Sequence, residues 1–450
     1  MNLKNIHNVY FLGIGGIGMS ALARYFKFIG KNVAGYDKTP SEITEGLQSA
    51  GMYVHFDDNL MSIPAGFKEK NKTLIVYTPA IPKDHGEYNY FKDNGFEIYK
   101  RAQVLGFITK DSFCFAVAGT HGKTTTSSIL AHILKETGMP LTAFLGGVSE
   151  NFNSNFLTEG DKYTVVEADE FDRSFLHLFP DIACVTSMDA DHLDIYGEKK
   201  ELEKSFIEFT KKIKPGGKLF LRKGIPLEGI TYGIEDDSDY CIKNIKIKNA
   251  TYVFDVVTPF GNIEGVKFNK PGQHNLLNAL AAFAMAAQIN VPPDRLAMAL
   301  ESFKGVKRRF SYHIQTEYKV YIDDYAHHPT EIEAVYHAVK EMYPDKKVLA
   351  IFQPHLYSRT RDFIEDFAKS LSKFDEIILL DIYPAREQPI EGVTSQWLLN
   401  KINNPNKQLI SKDELPSVVK HTSAFVILTL GAGDIGEEVK KIKEALLNEN

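Results

Sequence analysis

Residues 117–127 read VAGTHGKTTTS. They close the apolar run FCFAVAG (113–119), which has the composition of a buried strand, and open a segment, Thr124–Glu136, with the residue pattern of a helix. A strand that hands a glycine-rich turn to a helix N-terminus is the usual cradle for phosphate, because the turn exposes backbone N–H groups and the helix dipole favours an anion. The turn is shorter than GxxxxGK[ST] by two residues: that pattern needs glycine at position 117, where Val117 stands, and the glycine ahead of Gly122-Lys123 is Gly119. The working parts remain. Successive N–H groups from Gly119 to Thr124 form an anion nest, Lys123 reaches β- and γ-phosphate oxygens, and the Thr124 hydroxyl stands where a magnesium ligand is expected.

Outward from this loop the chain alternates strand-like and helix-like segments, which predicts an α/β fold with parallel sheets. Three zones emerge: residues 1–107, 108–305 and 306–450. The first opens with VYFLG (9–13), then Ile17, Ala21, Leu22, Tyr25, Phe26 and Ile29 at helical spacing, then NVAGYD (32–37). The second holds the phosphate loop, the strand-like runs TVVEAD (164–169) and IACVTS (182–187), a strand-rich patch at 240–268, and helices beginning near His274 and Asp294. The third alternates again through VYIDD, a helix over 330–342, VLAIFQ, a helix over 361–372, EIILLD and AFVILTLGAG. The expected architecture is a Rossmann-like N-terminal domain, a central P-loop ATPase-like domain and a C-terminal Rossmann-like α/β domain, with ligands at strand C-termini.

A second glycine loop sits in the first zone. Gly13-Ile-Gly15-Gly16-Ile-Gly18 matches GxGxxG between a strand and a helix, and Asp37 follows about twenty residues later. Its chemistry selects a diphosphate, so NAD and a nucleotide-sugar fit equally well. Downstream of the central loop come two acidic clusters at strand ends, Glu167-Ala-Asp-Glu-Phe-Asp172 and Asp189-Ala-Asp-His192-Leu-Asp194. Carboxylates beside a phosphate loop suit Mg²⁺, a hard cation that takes a few carboxylates together with water and phosphate oxygens.

Composition narrows the function classes. Hydrophobic residues at 44% and charged residues at 24% describe a soluble globular chain of 450 residues, too long for one core. A net charge of −6 argues against nucleic acid or an anionic membrane as a general partner. The apolar stretch Ala279 to Ile289 is too short to span a bilayer, so no membrane insertion is expected. The N-terminus runs into a strand without a signal-peptide pattern, and the three cysteines, Cys114, Cys184 and Cys241, are too scattered for a disulfide framework or a zinc motif. A cytoplasmic protein is expected.

GTHGKTTT, EADE and DADHLD in this order resemble the Mur ligase family, ATP-dependent enzymes that join amino acids to UDP-muramoyl precursors of peptidoglycan in cell-wall biogenesis. The likeness extends through GIGGIGM, YTPA (77–80), GQHNLLNALAA (272–282), VKRRF (306–310), DDYAHHPTE (323–331) and QPHLYSRTRDF (353–363). These later motifs are similar to those of the member that adds L-alanine to UDP-N-acetylmuramate. The resemblance implies ATP as co-substrate with Mg²⁺, an acyl-phosphate intermediate, and a monomer or weak homodimer. The alternatives are a recycling member that adds a whole peptide, and, from other classes, an NAD-dependent oxidoreductase or a nucleotide-sensing regulator.

The same resemblance implies residue roles. Gly119, Thr120, His121, Gly122, Lys123, Thr124 and Thr125 would cradle ATP, with His274, Asn275 and Asn278 at the adenine and Arg308 or Arg309 approaching the phosphates. Thr124, Glu167 and His192 would hold metal. Gly13, Gly15, Gly16, Ile17, Gly18, Asp37, Thr78, Pro79 and Ala80 would bind the UDP-sugar. Tyr325 and His327 would border the amino acid, at most one of the adjacent His327 and His328 facing it, and His327 or a nearby carboxylate would take the amine proton. Arg359 has the planar fork that suits a carboxylate. The chain carries Leu356 where the family pattern has arginine, so either Arg359 alone or Arg359 with Arg361 or Arg386 binds the alanine carboxylate. Lys204 is a candidate for the carbamoylated lysine found in relatives.

Overall fold

The computed structural model describes residues 5–189, 199–248, 251–385 and 387–447. Each zone of the sequence builds one sheet. The first has five parallel strands, β1 (Asn8–Leu12), β2 (Asn32–Tyr36), β3 (Tyr53–His55), β4 (Thr73–Tyr77) and β5 (Glu97–Lys100), in the order β3-β2-β1-β4-β5. Its helices are α1 (Ile17–Phe28), α2 (Glu42–Ser49), α3 (Gly86–Asp93) and α4 (Arg101–Lys110). The order reverses at β1, whose neighbours are β2 and β4, and the crevice at such a switch point is where open α/β sheets bind ligands. Ser41 starts α2 as a capping box: its hydroxyl accepts from Thr44 N while the Thr44 hydroxyl accepts from Ser41 N.

The second sheet has ten strands: β6 (Phe113–Ala118), β7 (Leu141–Ser149), β8 (Ser154–Thr158), β9 (Tyr163–Glu167), β10 (Ile182–Val185), β11 (Lys218–Arg222), β12 (Ile230–Ile234), β13 (Tyr240–Lys248), β14 (Thr251–Thr258) and β15 (Gly261–Phe268). Its order is β15-β14-β13-β12-β11-β10-β6-β9-β7-β8, so β6 lies between β9 and β10, and both pair with it in parallel. All three therefore point their C-termini at one edge. α5 (Lys123–Glu136) leaves β6 at that edge.

The third sheet orders β16 (Ser311–Gln315), β17 (Val320–Asp324), β21 (Val426–Leu430), β18 (Val348–Phe352), β19 (Glu376–Leu379) and β20 (Lys407–Leu409), parallel except for the β16–β17 pair. β1, β17, β18 and β21 are buried at every position, the condition of a parallel strand covered on both faces, and this is why they read as unbroken apolar runs. Helix Pro329–Met342 starts on Pro329, with Glu331 accepting from the N–H of His328. The helix expected over 361–372 is two, Tyr357–Asp362 and Ile364–Leu371, separated at Phe363 (φ −116°, ψ 24°).

Contacts divide the chain into two compact units, residues 1–246, 253–268 and 277–304, and residues 247–252, 269–276 and 305–450. The first and second sheets share the first unit.

Candidate active site

The central loop is built from three parallel strand ends. Gly119 (φ +134°) and Gly122 (φ +85°) hold backbone conformations that L side chains rarely adopt. A Cβ on Gly119 would come within 2.8 Å of the Ser187 nitrogen, and one on Gly122 within 2.5 Å of Asn278 Oδ1. Thr186 and Ser187, just beyond β10, clamp the loop. Thr186 Oγ1 donates to the carbonyls of Ala118 (3.1 Å) and His121 (2.5 Å), while Ser187 Oγ accepts from His121 N (2.8 Å). Thr120 Oγ1 accepts from Asp189 N at 3.1 Å. With the loop carbonyls and hydroxyls engaged from behind, the free N–H groups of the first turn of α5 are left to an anion.

Lys123 opens α5 and folds back over the loop. Its Nζ donates to Gly119 O (2.6 Å) and pairs with Glu170 at 2.8–2.9 Å, the lysine side chain 12% exposed and the glutamate fully buried. Burial works to lower the lysine's pKa, but the carboxylates of Glu170, Asp169 and Glu167 together raise it above its ordinary value, so the ammonium stays charged. Glu167 ends β9 against Gly146 of β7, where any Cβ would overlap its carboxylate. Thr124 is buried in the first turn of α5. A hydroxyl and carboxylates around a phosphate loop are the oxygen donors Mg²⁺ prefers, so these residues fit the metal. His192 lies outside the described residues.

Asn278 Oδ1 accepts from Thr126 Oγ1 (3.2 Å) on α5, which joins part of the expected adenine box to the phosphate loop. Asn275 donates its amide to Pro271 O at 2.6 Å. His274 packs on Gly272, whose N–H donates to Tyr252 OH (2.8 Å), and that hydroxyl donates to Glu341 (2.5 Å).

At the first glycine loop, Gly15 N donates to Asp37 Oδ2 at 2.7 Å, and Gly13 (φ +87°) has Thr78 Cγ2 within 2.6 Å of where a Cβ would sit. Asp37 just beyond β2 and Thr78-Pro79-Ala80 beyond β4 thus flank the turn that follows β1. Arg101, first residue of α4, completes the surroundings. A Cβ on Gly18 would lie 2.7 Å from its Nη1, and its Nη2 is 3.6 Å from Asp169 of the acidic cluster.

In the second unit Asp324, at the end of β17, accepts from Phe310 N (2.7 Å) and Ala326 N (2.8 Å). Burial pushes its carboxyl up to about 6, against the pull of Arg309. His327 Nδ1 meets Tyr325 O at 2.9 Å, and burial lowers its pKa below the ordinary imidazole value despite Glu331 at 3.4 Å. A neutral imidazole at neutral pH is the form that accepts a proton. Its ring lies 6.0 Å from that of His355, whose Nδ1 stands 3.2 Å from Arg359 Nη1. His328 turns elsewhere, capping its helix and packing on Phe363 at 4.7 Å. Leu356 holds φ +73°, a costly conformation for leucine, at the turn that presents Arg359. Arg361 pairs with its neighbour Asp362 at 2.7 Å, and Arg386 lies outside the described residues. Arg309 is 4.0 Å from Glu331, whereas Arg308 donates to Asp323 (2.9 Å), Gly431 O (2.6 Å) and Gly433 O (3.4 Å). Lys204 is exposed and pairs with Glu201 at 2.5 Å.

Family descriptions match in sequence along the chain: "Mur ligase family, catalytic domain" over residues 8–112, "Mur ligase middle domain" over 117–286, and "Mur ligase, glutamate ligase domain" over 308–435. A UDP-N-acetylmuramate–L-alanine ligase of Flavobacterium psychrophilum is 63% identical over 99% of both chains. The chain belongs to the Mur ligase family. It is 59% identical to the UDP-N-acetylmuramate–L-alanine ligase of Flavobacterium johnsoniae over the full length of both. Among solved structures, the UDP-N-acetylmuramate-alanine ligase of Thermotoga maritima aligns with a TM-score of 0.84 at 27% identity, covering 98% of this chain and 100% of that one. A murein peptide ligase of Psychrobacter arcticus shares the fold, with a TM-score of 0.72 at 23% identity and 98% and 99% coverage.

Within this Mur ligase the first unit brings together the central loop, Glu167 and Asn278 with Glu170, which sequence reading held only as a member of the acidic cluster 167–172, and with three residues it passed over, Thr186, Ser187 and Arg101. A Thr-Ser pair directly after a strand parallel to β6 was the available signal for the first two.

Proposed function

We propose that this chain is the ATP-dependent ligase that forms an amide between the carboxylate of UDP-N-acetylmuramate and the amine of L-alanine, releasing ADP and phosphate, in peptidoglycan precursor synthesis. The observation that carries this reading is the 63% identity, across 99% of both chains, to a ligase of that name. The geometry supports it, since two glycine turns at the C-terminal ends of parallel strands in two sheets give two phosphorylated substrates separate seats.

A carboxylate acylates poorly because its oxygen leaves poorly. One carboxylate oxygen of the muramoyl group attacks the γ-phosphorus of ATP and ADP departs, giving an acyl phosphate. The neutral amine of alanine then attacks the acyl carbon, the C–O bond to phosphate breaks, and the nitrogen loses a proton. Residues 119–125 hold the ATP phosphates, and Lys123 exchanges Glu170 for β- and γ-oxygens. Thr124 and Glu167, with His192, would hold Mg²⁺, which supplies charge neutralisation on the phosphates. Arg309 adds positive charge at the phosphates, Asn278 reads the adenine edge with its paired donor and acceptor, and His327, kept neutral by burial, accepts the amine proton. Arg359 pairs with the alanine carboxylate. The UDP-sugar lies on Gly13–Gly18 with Asp37 and Thr78-Pro79-Ala80. No helix among the described residues is long and apolar enough to cross a membrane, in keeping with soluble substrates and a cytoplasmic site.

The test is phosphate release by the purified chain with ATP, Mg²⁺ and UDP-N-acetylmuramate, scanning amino acids with L-alanyl peptides alongside. Turnover dependent on L-alanine and abolished in Lys123→Ala is expected. Turnover only with a peptide would assign the recycling reaction, and nicotinamide-dependent absorbance change without phosphate release would overturn the ligase reading.

A further inference from the structure

The third sheet ends in a pattern with a known meaning elsewhere. After β21 the chain reads Gly431-Ala-Gly433-Asp434-Ile-Gly436 and enters helix Ile435–Leu447, a strand–GxGxxG–helix arrangement that ordinarily binds a diphosphate. Here the turn is occupied by the protein itself. Arg308 Nη2 donates to Gly431 O at 2.6 Å and Nη1 to Gly433 O at 3.4 Å, while Nε donates to Asp323 Oδ2 at 2.9 Å. The guanidinium lies so close to Gly436 that a Cβ there would stand 2.7 Å from its central carbon. Carbonyl oxygens converging on a cation make this turn a receptor for arginine, opposite in polarity to an anion nest. Asp323 is 1% exposed and takes a further hydrogen bond from Thr429 Oγ1 (2.7 Å), so the cation is bound by a buried, fixed carboxylate.

The same arginine reaches the loop after β17. Its carbonyl accepts from Tyr325 N at 2.6 Å, and its guanidinium carbon stands 5.3 Å from the Tyr325 ring centroid, within cation–π range. Tyr325 in turn holds His327, whose Nδ1 meets the Tyr325 carbonyl at 2.9 Å and whose ring packs at 5.4 Å. Arg308 itself sits at φ +61°, a left-handed conformation that the surrounding bonds must maintain.

We propose that Arg308 is a positioning residue: it locks the Gly431–Gly436 turn onto Asp323 and through that lock sets Tyr325 and His327, leaving Arg309 as the member of the pair that meets phosphate. The proposal rests on the reading of Tyr325 and His327 as the amino-acid border. It also assigns no nucleotide to the third glycine turn. Lysine cannot serve three acceptors in one plane as the guanidinium does.

The experiment is a double-mutant cycle on Arg308→Lys and Gly436→Ala, with Arg309→Lys as the contrast. Gly436 has ordinary helical backbone, so alanine is tolerated there except for its encounter with the guanidinium. Each single change should raise KM for L-alanine roughly ten- to a hundredfold, the loss expected when an aligned group shifts by about an ångström, with KM for ATP within about twofold. The double variant should be no worse than the worse single one, because both remove the same contact. Arg309 also touches this loop, its guanidinium carbon 5.2 Å from the Tyr325 centroid and its Nη1 4.0 Å from Glu331, so the contrast lies in ATP: Arg309→Lys should lower kcat and weaken ATP, whatever it does to KM for alanine. A rise in KM for ATP in Arg308→Lys, or effects of the two single changes that multiply, overturns the proposal. If Arg308→Lys does not fold, Gly436→Ala, which retains the arginine, is read by the same KM split, wild-type values overturning the lock. Wild-type protein without alanine-dependent turnover would defeat the activity reading instead. The lock is then decided by thermal melts of the cycle, where additive losses overturn it.

Discussion

Removing the carboxylate that holds Lys123 should reveal how the central loop waits for its nucleotide. In Glu170→Ala the lysine ammonium keeps Gly119 O at 2.6 Å but loses a partner at 2.8 Å that is fully buried. Breaking a buried ion pair from one side costs about 3–5 kcal/mol, since the remaining charge stays desolvated. The surviving carbonyl contact and the field of Asp169 and Glu167 place this case near the lower end, about 3 kcal/mol. For a domain of the size matched over residues 117–286, that is a fall in Tm of roughly 6–12 °C. The nucleotide then supplies what was removed. On the proposed assignment of Lys123 to ATP, the nucleotide displaces Glu170 in the parent protein; in the variant it meets an ammonium with no such rival, so part of the lost free energy returns as affinity. A gain of 1.4 kcal/mol would appear as a tenfold lower Kd and a larger rise in Tm with saturating nucleotide. Scanning calorimetry of both proteins, with and without a non-hydrolysable ATP analogue and Mg²⁺, measures both quantities. A variant melting within about 2 °C of the parent, or stabilised equally by the analogue, would refute the latch.

Three further outcomes follow from other contacts. Arg101→Ala should raise KM for the UDP-sugar about tenfold while leaving KM for alanine unchanged, because a cation packed against the first turn of α1 opposes the helix dipole until an anion arrives; equal effects on both substrates in steady-state kinetics would remove that role. Gly146→Ala should weaken activation by Mg²⁺ by driving a methyl group into the Glu167 carboxylate, seen as a right-shifted metal titration of activity, and an unshifted titration counts against Glu167 as a ligand. Glu87 is fully buried beside Tyr10 and His55, with Asp58 and His85 close by, and burial pushes its pKa from 4.5 up to about 7. The folded protein thus keeps a proton the unfolded chain releases, and this contribution to stability, complete below pH 4.5, is lost as pH rises to about 7. Glu87→Gln should abolish that decline in urea titrations across the window, and parallel stability curves for the two proteins would refute the assignment.

Much of this architecture was readable because buried parallel strands leave unbroken apolar runs. VYFLG, FCFAVAG, VYIDD and VLAIFQ lie on β1, β6, β17 and β18, within a residue of the ranges read from sequence. Among the strands passed over, β7, β8, β11 and β12 carry glycine, serine, threonine or lysine among their apolar residues and lack that signature, whereas β4 (TLIVY) has it and was passed over all the same. The site divides along a different line. Glycine turns announce themselves locally, since their conformational demands fall on consecutive residues. Their partners do not: Ser187 is 66 residues from His121, and Glu170 is 47 from Lys123. Such contacts exist only because β9 and β10 flank β6, a pairing no local pattern specifies.

Three glycine turns in this chain show what local pattern leaves undecided. Each follows a buried parallel strand and begins a helix, and each places glycine where a Cβ would collide with a neighbour. The first has its N–H at Gly15 bound by the Asp37 carboxylate, a donor turned toward negative charge. In the second, Thr186 and Ser187 engage the loop from behind, and a lysine lies across it, so it presents positive potential. In the third, carbonyls face a guanidinium, and the turn is neutralised from within. Backbone flexibility is common to all three; the sign of the charge each receives is set by a side chain from elsewhere, Asp37, Lys123 with Glu170, and Arg308 with Asp323. Hence GxGxxG alone ranks Gly431–Gly436 with Gly13–Gly18, whereas the electrostatics separate them. Exchanging Arg308 and Asp323 for neutral residues would expose the third turn's carbonyls without creating N–H donors, so equilibrium dialysis with a labelled nucleotide should detect no additional site. Gain of a nucleotide site there would mean that the glycines, and not their distant partner, decide the ligand.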